Sequence, residues 1–240
     1  MQQYFVNQEL STGKVIELSS QQSHHIATVL RSKQGKVIRL IDENSLPFYA
    51  VITSLEKNVI VTAGESIIEK RESDVRITLA VAMIKSDRFE WILEKATECG
   101  VFRIVPFFSA RCVVKDKPGQ NRRKMERFQK IVTEAAEQSY RHIVPKIIEP
   151  VLLKQLHDYK SDLNLVAYEK ESENQLSQWK DSVTSVTIVI GPEGGFENSE
   201  IEFLNAHGFT SVTLGRRIYR AETAAIAACV TLVNLGEHHG

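Results

Sequence analysis

Residues 190–196 read Ile-Gly-Pro-Glu-Gly-Gly-Phe, and the reading of this stretch decides the fold. It is fed by Val-Thr-Ile-Val-Ile at 186–190, a short β-branched run of the kind that forms a buried central strand. It leads into 197–207, which carries apolar side chains at Ile201 and Leu204 with Phe203 between. Gly208 then stands where a helix C-cap glycine belongs. Glycines at the carboxyl end of a strand let the backbone turn sharply and approach a ligand closely. In open α/β sheets that crevice is where ligands bind.

A second unit repeats the arrangement. Residues 211–214 form a short strand, 215–220 a loop, and 222–235 a helix closed by Gly236. That helix is apolar nearly all round, which predicts burial on most faces. Two such loops on neighbouring parallel strands would make one pocket; spacing alone fits ordinary tight βα connections equally well.

Outward from these loops, strands alternate with helices back to about residue 77. Strands are expected over 77–84, 103–107 and 163–168, and helices over 87–99, stopped by Gly100, and over 121–140. This βαβ order implies a mostly parallel sheet covered on both faces. Before it, 4–6, 15–18, 37–41, 48–55 and 59–63 read as short strands, with one helix near 24–30, the pattern of a small β-barrel. The charged run Glu69-Lys70-Arg71-Glu72-Ser73-Asp74 has no apolar face and reads as a linker, giving domains at 1–72 and 73–240.

Composition excludes several classes. With 30 basic and 30 acidic residues, nucleic-acid binding would have to come from local patches. Cys99, Cys112 and Cys229 are far apart and lack CxxC spacing, which argues for a reducing compartment and against a zinc site. No metal is expected: His24-His25 point apart on a helix, and His238-His239 read as tail. The longest apolar run, 224–233, falls well short of the roughly 20 residues that span a bilayer, and no signal peptide is visible, so a cytoplasmic protein is expected. Neither GxxxxGK[ST] nor GxGxxG after a strand nor a GxSxG elbow is present.

One local patch stands out. Lys115, Lys117, Arg122, Arg123, Lys124, Arg127 and Lys130 face only Asp116 and Glu126, while Glu134 and Glu137 fall later. Cations at a helix N-terminus oppose the macrodipole, at a cost of about 0.3–1 kcal/mol per exposed charge. Stability therefore does not account for the order. The apolar stripe of Met125, Phe128, Val132 and Ala135 turns Arg123, Arg127 and Lys130 outward. With Arg141 and Lys146 flanking, the run fits a phosphate-tracking surface for RNA better than a merely solvated face.

Gly191-Pro192-Glu193-Gly194-Gly195-Phe196, together with Leu214-Gly215-Arg216-Arg217-Ile218-Tyr219-Arg220-Ala221-Glu222-Thr223-Ala224, resembles the signature of the RsmE family, SPOUT-class methyltransferases of 16S ribosomal RNA that modify uridine N3. Lys85-Ser86-Asp87-Arg88-Phe89-Glu90, Glu94 to Val101 and Glu134 to Arg141 extend the likeness. His25, Val29-Leu30-Arg31 and Gly35 resemble the family's PUA-like RNA-binding barrel. The chain departs from the family at Tyr219 (usually Leu), Ala221 (usually Thr) and Cys112 (usually Ser).

The resemblance implies a trefoil-knotted α/β methyltransferase domain behind a PUA-like barrel, working as a homodimer on 16S rRNA of the small ribosomal subunit. It implies S-adenosylmethionine held by Ala167 and Tyr168 of a third loop, by Gly191, Gly194 and Gly195, and by Leu214, Gly215, Ile218, Tyr219 and Thr223. Arg220 would stabilise a uracil anion, with Glu193 and Glu222 as candidate bases. Arg31 would join Lys115, Arg122, Arg123, Lys124, Arg127 and Arg141 in contacting RNA. Two other readings stay open: a SPOUT enzyme acting on a different RNA, and a non-catalytic RNA-binding or assembly protein.

Overall fold

The structure, a computed structural model, describes residues 1–114, 122–179 and 183–237. Two compact units result. The first comprises Met1–Arg71 together with Glu137–Ile143.

In the first unit β1 (Gln3–Phe5), β2 (Val15–Glu17), β3 (Val37–Ile41), β4 (Pro47–Ser54) and β5 (Ile60–Ser66) form one sheet in the order β1-β3-β4-β5-β2. Pairing is antiparallel except between β1 and β3. Among the described residues no β1–β2 ladder closes the sheet, so it is a half-barrel with two three-residue edges. Along β4 the pleat alternates strictly: Phe48, Ala50 and Ile52 face the core, Tyr49 and Val51 face out. The expected helix is α1 (Ser20–His24) running into a π-helical turn (His25–Val29), which buries Ile26 in that core.

Segment 137–143 belongs to this unit, which the pattern of alternating strands and helices did not reveal. Gln3 Nε2 donates to the Arg141 carbonyl at 2.6 Å, and the Arg39 guanidinium lies 5.0 Å from the centre of the Tyr140 ring. Glu69 accepts from Arg39, from Arg71 and, at 3.1 Å, from the His142 ring. Glu69 is thus an anchor, not a linker residue.

The second unit takes Glu72–Ala136 and the chain from Val144 onward. Its sheet runs β12 (Thr210–Val212), β10 (Leu163–Ala167), β11 (Ser185–Ile190), β6 (Arg76–Ala82), β7 (Arg103–Phe108), β8 (Lys146–Ile147), with β9 (Val151–Leu152) also on β7. Every pairing is parallel. β8 and β9 escaped the sequence pattern because two residues carry no period.

Both faces are covered, as the long apolar strands require. Ile77, Leu79 and Val81 of β6 pack with Ile188 and Ile190 of β11 under α2 (Ser86–Glu98), α3 (Arg122–Gln138) and α5 (Ala221–Glu237). Ala80, Ala82, Val105 and Val189 face the other way, under α4 (Asn198–Ala206) and the 3₁₀ turn Leu153–Tyr159. Gly100 (φ 91°) and Gly208 (φ 85°) end α2 and α4 in the left-handed conformation that helix C-termini favour. Gly236 has a different reason from the one expected. It lies inside α5, where an added Cβ would sit 2.4 Å from Val75 Cγ2.

Candidate active site

The loops after β10, β11 and β12 leave from adjacent parallel strands and enclose one cavity of about 1210 Å³. It exceeds the roughly 300–1000 Å³ of ordinary small-molecule pockets, leaving room for a nucleoside-sized ligand and a second ring. Ala167, Tyr168, Gly191, Gly194, Gly195, Leu214, Gly215, Ile218 and Tyr219 all line it, as do Glu193 and Arg220. The bends at Gly191 and Gly215 therefore meet in space. Thr223, on the exposed side of α5, does not line the cavity, because helical rotation turns it away from the wall formed by Ala221 and Ala224.

Each loop is held by its own chemistry. In the β11 loop, Gly195 N–H donates to the Pro192 carbonyl at 2.9 Å with φ 69°, and buried Phe196 lies parallel to Phe107 at 6.4 Å. The Arg111 guanidinium donates to the Gly194 carbonyl at 3.1 Å. Glu200 in the first turn of α4 accepts from the Ala110 N–H (2.9 Å) and the Ser109 hydroxyl (3.1 Å), so the β7 loop braces the β11 loop. In the β10 loop the Glu171 carboxylate accepts from the N–H groups of Ser172, Glu173 and Asn174, which holds it below the usual carboxylate range. The β12 loop is tied to it by Thr213 N–H to the Asn174 carbonyl (2.8 Å) and Leu176 N–H to the Thr213 carbonyl (3.0 Å).

One charged cluster joins separate elements: Arg88 and Glu193 line the cavity, whereas Glu222, expected in the site, lies beside them on α5 and does not line it. Arg88, in the first turn of α2, places Nη1 3.6 Å from Glu193 Oε1 and Nε 3.9 Å from Glu222 Oε1. The other Glu222 oxygen, Oε2, is buried without a hydrogen-bond partner among the described residues. Arg88, Arg111 and the lining residue Glu169 had no assigned role in the sequence reading. The residue string around Arg88 was visible, but nothing in its spacing said which carboxylates it would meet. Burial pushes the Cys112 thiol up, and its sulfur accepts from the Ser109 N–H at 3.3 Å. It is a loop brace here, not a thiolate nucleophile.

An RNA methyltransferase domain model matches residues 71–233, and an RNA methyltransferase PUA domain model matches 18–62. The ribosomal RNA small subunit methyltransferase E of Rickettsia conorii is 36% identical, over 98% of this chain and 96% of its own; that of Bacillus subtilis is 34% identical, over 95% and 94%. The chain belongs to the ribosomal RNA small subunit methyltransferase E family. The crystal structure of the Neisseria gonorrhoeae member, bound to S-adenosyl methionine, superposes with a TM-score of 0.91 at 29% identity, covering 98% of both chains.

The RNA-facing residues expected of this family member divide into several groups. Lys115 lies outside the described residues. Arg141 is 3% exposed, so its guanidinium has little surface to offer a phosphate; packing of 137–143 in the first unit overrides its charge. Arg31 is exposed, with a left-handed backbone (φ 46°) at the end of the π-helical turn. On α3, Arg122 pairs with Glu126 (3.0 Å), Arg127 with Glu90 of α2 (2.6 Å) and Lys130 with Glu134 (3.6 Å). Lys124 lies 5.8 Å from the centre of the Phe128 ring, and Arg123 points to solvent with no ion pair among the described residues. The outward stripe exists, but acids not counted in the run answer most of it.

Proposed function

We propose that the chain transfers a methyl group from S-adenosylmethionine to N3 of a uridine in 16S ribosomal RNA. The observation that carries this is the cavity framed by two glycine turns, with Arg88, Glu193 and Arg220 in its wall. The residues fit the cofactor. Gly215 (φ 121°) has open space where a side chain would stand, the lining carboxylates of Glu169, Glu171 and Glu193 suit a cationic ligand, and Gly191, Leu214, Gly215 and Ile218 border the volume.

When bound, S-adenosylmethionine supplies an electrophilic methyl group on a sulfonium. The backbone of the two loops orients the reactants, and such positioning alone removes much of a bimolecular barrier. Glu193, the one of the two candidate bases that lines the cavity, takes the imide proton from N3. The exposed guanidinium of Arg220 faces the planar uracil anion that results, a partner its fork matches. Because N3 is engaged in Watson–Crick pairing, the target base enters unpaired or flipped out. Surrounding RNA is held by the half-barrel through Arg31 and by α3 through Arg122, Arg123, Lys124 and Arg127. The division into an RNA-binding part at 1–72 and a catalytic part at 73–240 belongs to this proposal. So do the knotted path of the second unit, a homodimer and a cytoplasmic setting.

Mass spectrometry of rRNA nucleosides from a deletion strain tests the reaction. Loss of 3-methyluridine from small-subunit RNA is expected, and an intact level overturns the assignment. Arg220→Ala is expected to abolish turnover while calorimetric binding of S-adenosylmethionine persists; near-normal turnover would remove Arg220 from the mechanism.

A further inference from the structure

We propose that Arg88 is a positioning residue that governs proton removal: its one guanidinium, in the cavity wall, is shared between Glu193 of that wall and Glu222 behind it. This rests on the reaction proposed above. Three elements meet here, since Arg88 comes from α2, Glu193 from the β11 loop and Glu222 from the first turn of α5. The guanidinium lies 3.6 Å from one carboxylate and 3.9 Å from the other. One cation is thus shared by two anions, so the trio carries a net negative charge whichever carboxylate is paired.

The arrangement has a chemical consequence. A carboxylate paired with a guanidinium is a poor proton acceptor, because protonation forfeits the pair. A shared guanidinium leaves one carboxylate free to accept while it holds the other, and it can lean toward whichever remains ionised. Glu193 lines the cavity and Glu222 does not, so Glu193 is the carboxylate that meets the reactants while Glu222 draws the guanidinium from behind. The charged groups facing the cavity besides Arg88 and Glu193 are Glu169, Glu171, Arg216, Arg217 and Arg220. On α2 itself, Glu90 is occupied by the Ser86 hydroxyl and by Arg127, so it does not compete for Arg88.

The test compares wild type, Arg88→Gln and Arg88→Lys on the same small-subunit RNA. It reads kcat, KM for the RNA, and S-adenosylmethionine binding by calorimetry. Arg88→Gln is expected to lower kcat roughly 10- to 100-fold, within the range of general-base effects, with KM for the RNA near normal. Arg88→Lys, which keeps the charge and loses the two-armed fork, should restore only part of kcat. Cofactor binding should change less than threefold in both.

Wild-type kcat in Arg88→Gln, or a loss confined to KM or to cofactor affinity, overturns the proposal. Should Arg88→Gln fail to fold, Arg88→Lys carries the test. Lowered kcat with KM for the RNA and cofactor binding near normal supports the role, and wild-type kcat removes it. Absence of methyl transfer by the wild-type protein would instead sink the reaction, which keeps the two failures distinct.

Discussion

The cavity loops and helix α3 differ in how sequence becomes surface. In the loops a few glycines and a proline dictate the backbone path, and Arg88 of α2 and Glu222 of α5 join the loop charge Glu193 from outside. On α3 the cations are dense in sequence, yet Arg122, Arg127 and Lys130 each meet a carboxylate three to four residues away or on α2. Backbone constraint is local and survives folding. Net charge is a property of neighbours, and neighbours are set by the fold.

The strongest challenge to this contrast is Gly191→Ala. The new Cβ would sit 2.8 Å from Phe196 Cε2, closer than side chains tolerate. Phe196 is only 3% exposed and lies parallel to Phe107, so its ring has little room to yield. Overpacking of this kind costs about 1–3 kcal/mol, which as lost loop geometry is roughly 5- to 150-fold in affinity. Calorimetry with S-adenosylmethionine should show weakening of that order. Unchanged binding would mean the β11 loop does not shape the cofactor site. Gly195→Ala should follow the same direction, since φ is 69° there and Glu169 Oε1 lies 2.9 Å from the added carbon.

What was legible follows the same division. The apolar runs ending at Ile190 and Ala82 and the glycines at 100, 191, 195 and 208 act through local sterics, so strands, turns and helix ends could be read in place. Gly236 misled because a glycine required by tertiary contact with Val75 looks like one required by a helix end. Arg88 is the opposite case, since its role depends on two carboxylates 105 and 134 positions away along the chain (193 − 88; 222 − 88). Arg141 misled because burial of 137–143 rests on partners such as Gln3 and Glu69, which no local pattern can reveal.

Glu69 sharpens the charge side of the comparison. Its hydrogen bond from Arg39, helped by those from His142 and Arg71, lowers its carboxyl from 4.5 to about 2. A depressed carboxylate contributes stability that is present above its unfolded value and lost as pH falls through the folded one. Thermal melts should therefore show the first unit losing stability from about pH 4.5 down to about 2. Glu69→Gln should be less stable at neutral pH and flatter across that window. A wild-type curve already flat there would mean that Glu69 does not anchor the segment 137–143.

The smallest expected effect lies on α3 and turns on whether pairing or mere presence decides a cation's use. Arg123 has no ion pair among the described residues, whereas Arg127 is held by Glu90 at 2.6 Å. Arg123→Gln should weaken binding of small-subunit RNA and reduce the slope of log affinity against log salt by about 0.7–1, the loss of one phosphate contact. Arg127→Gln should do less, because in the free protein part of its charge is already neutralised and that pair must break before RNA gains it. Glu90→Gln separates the two ideas most sharply. It frees Arg127 and should strengthen RNA binding by a few fold at low salt, an exposed pair contributing about 0.2–1 kcal/mol. Equal effects from Arg123→Gln and Arg127→Gln, with none from Glu90→Gln, would show that counting cations along the sequence was the better guide after all.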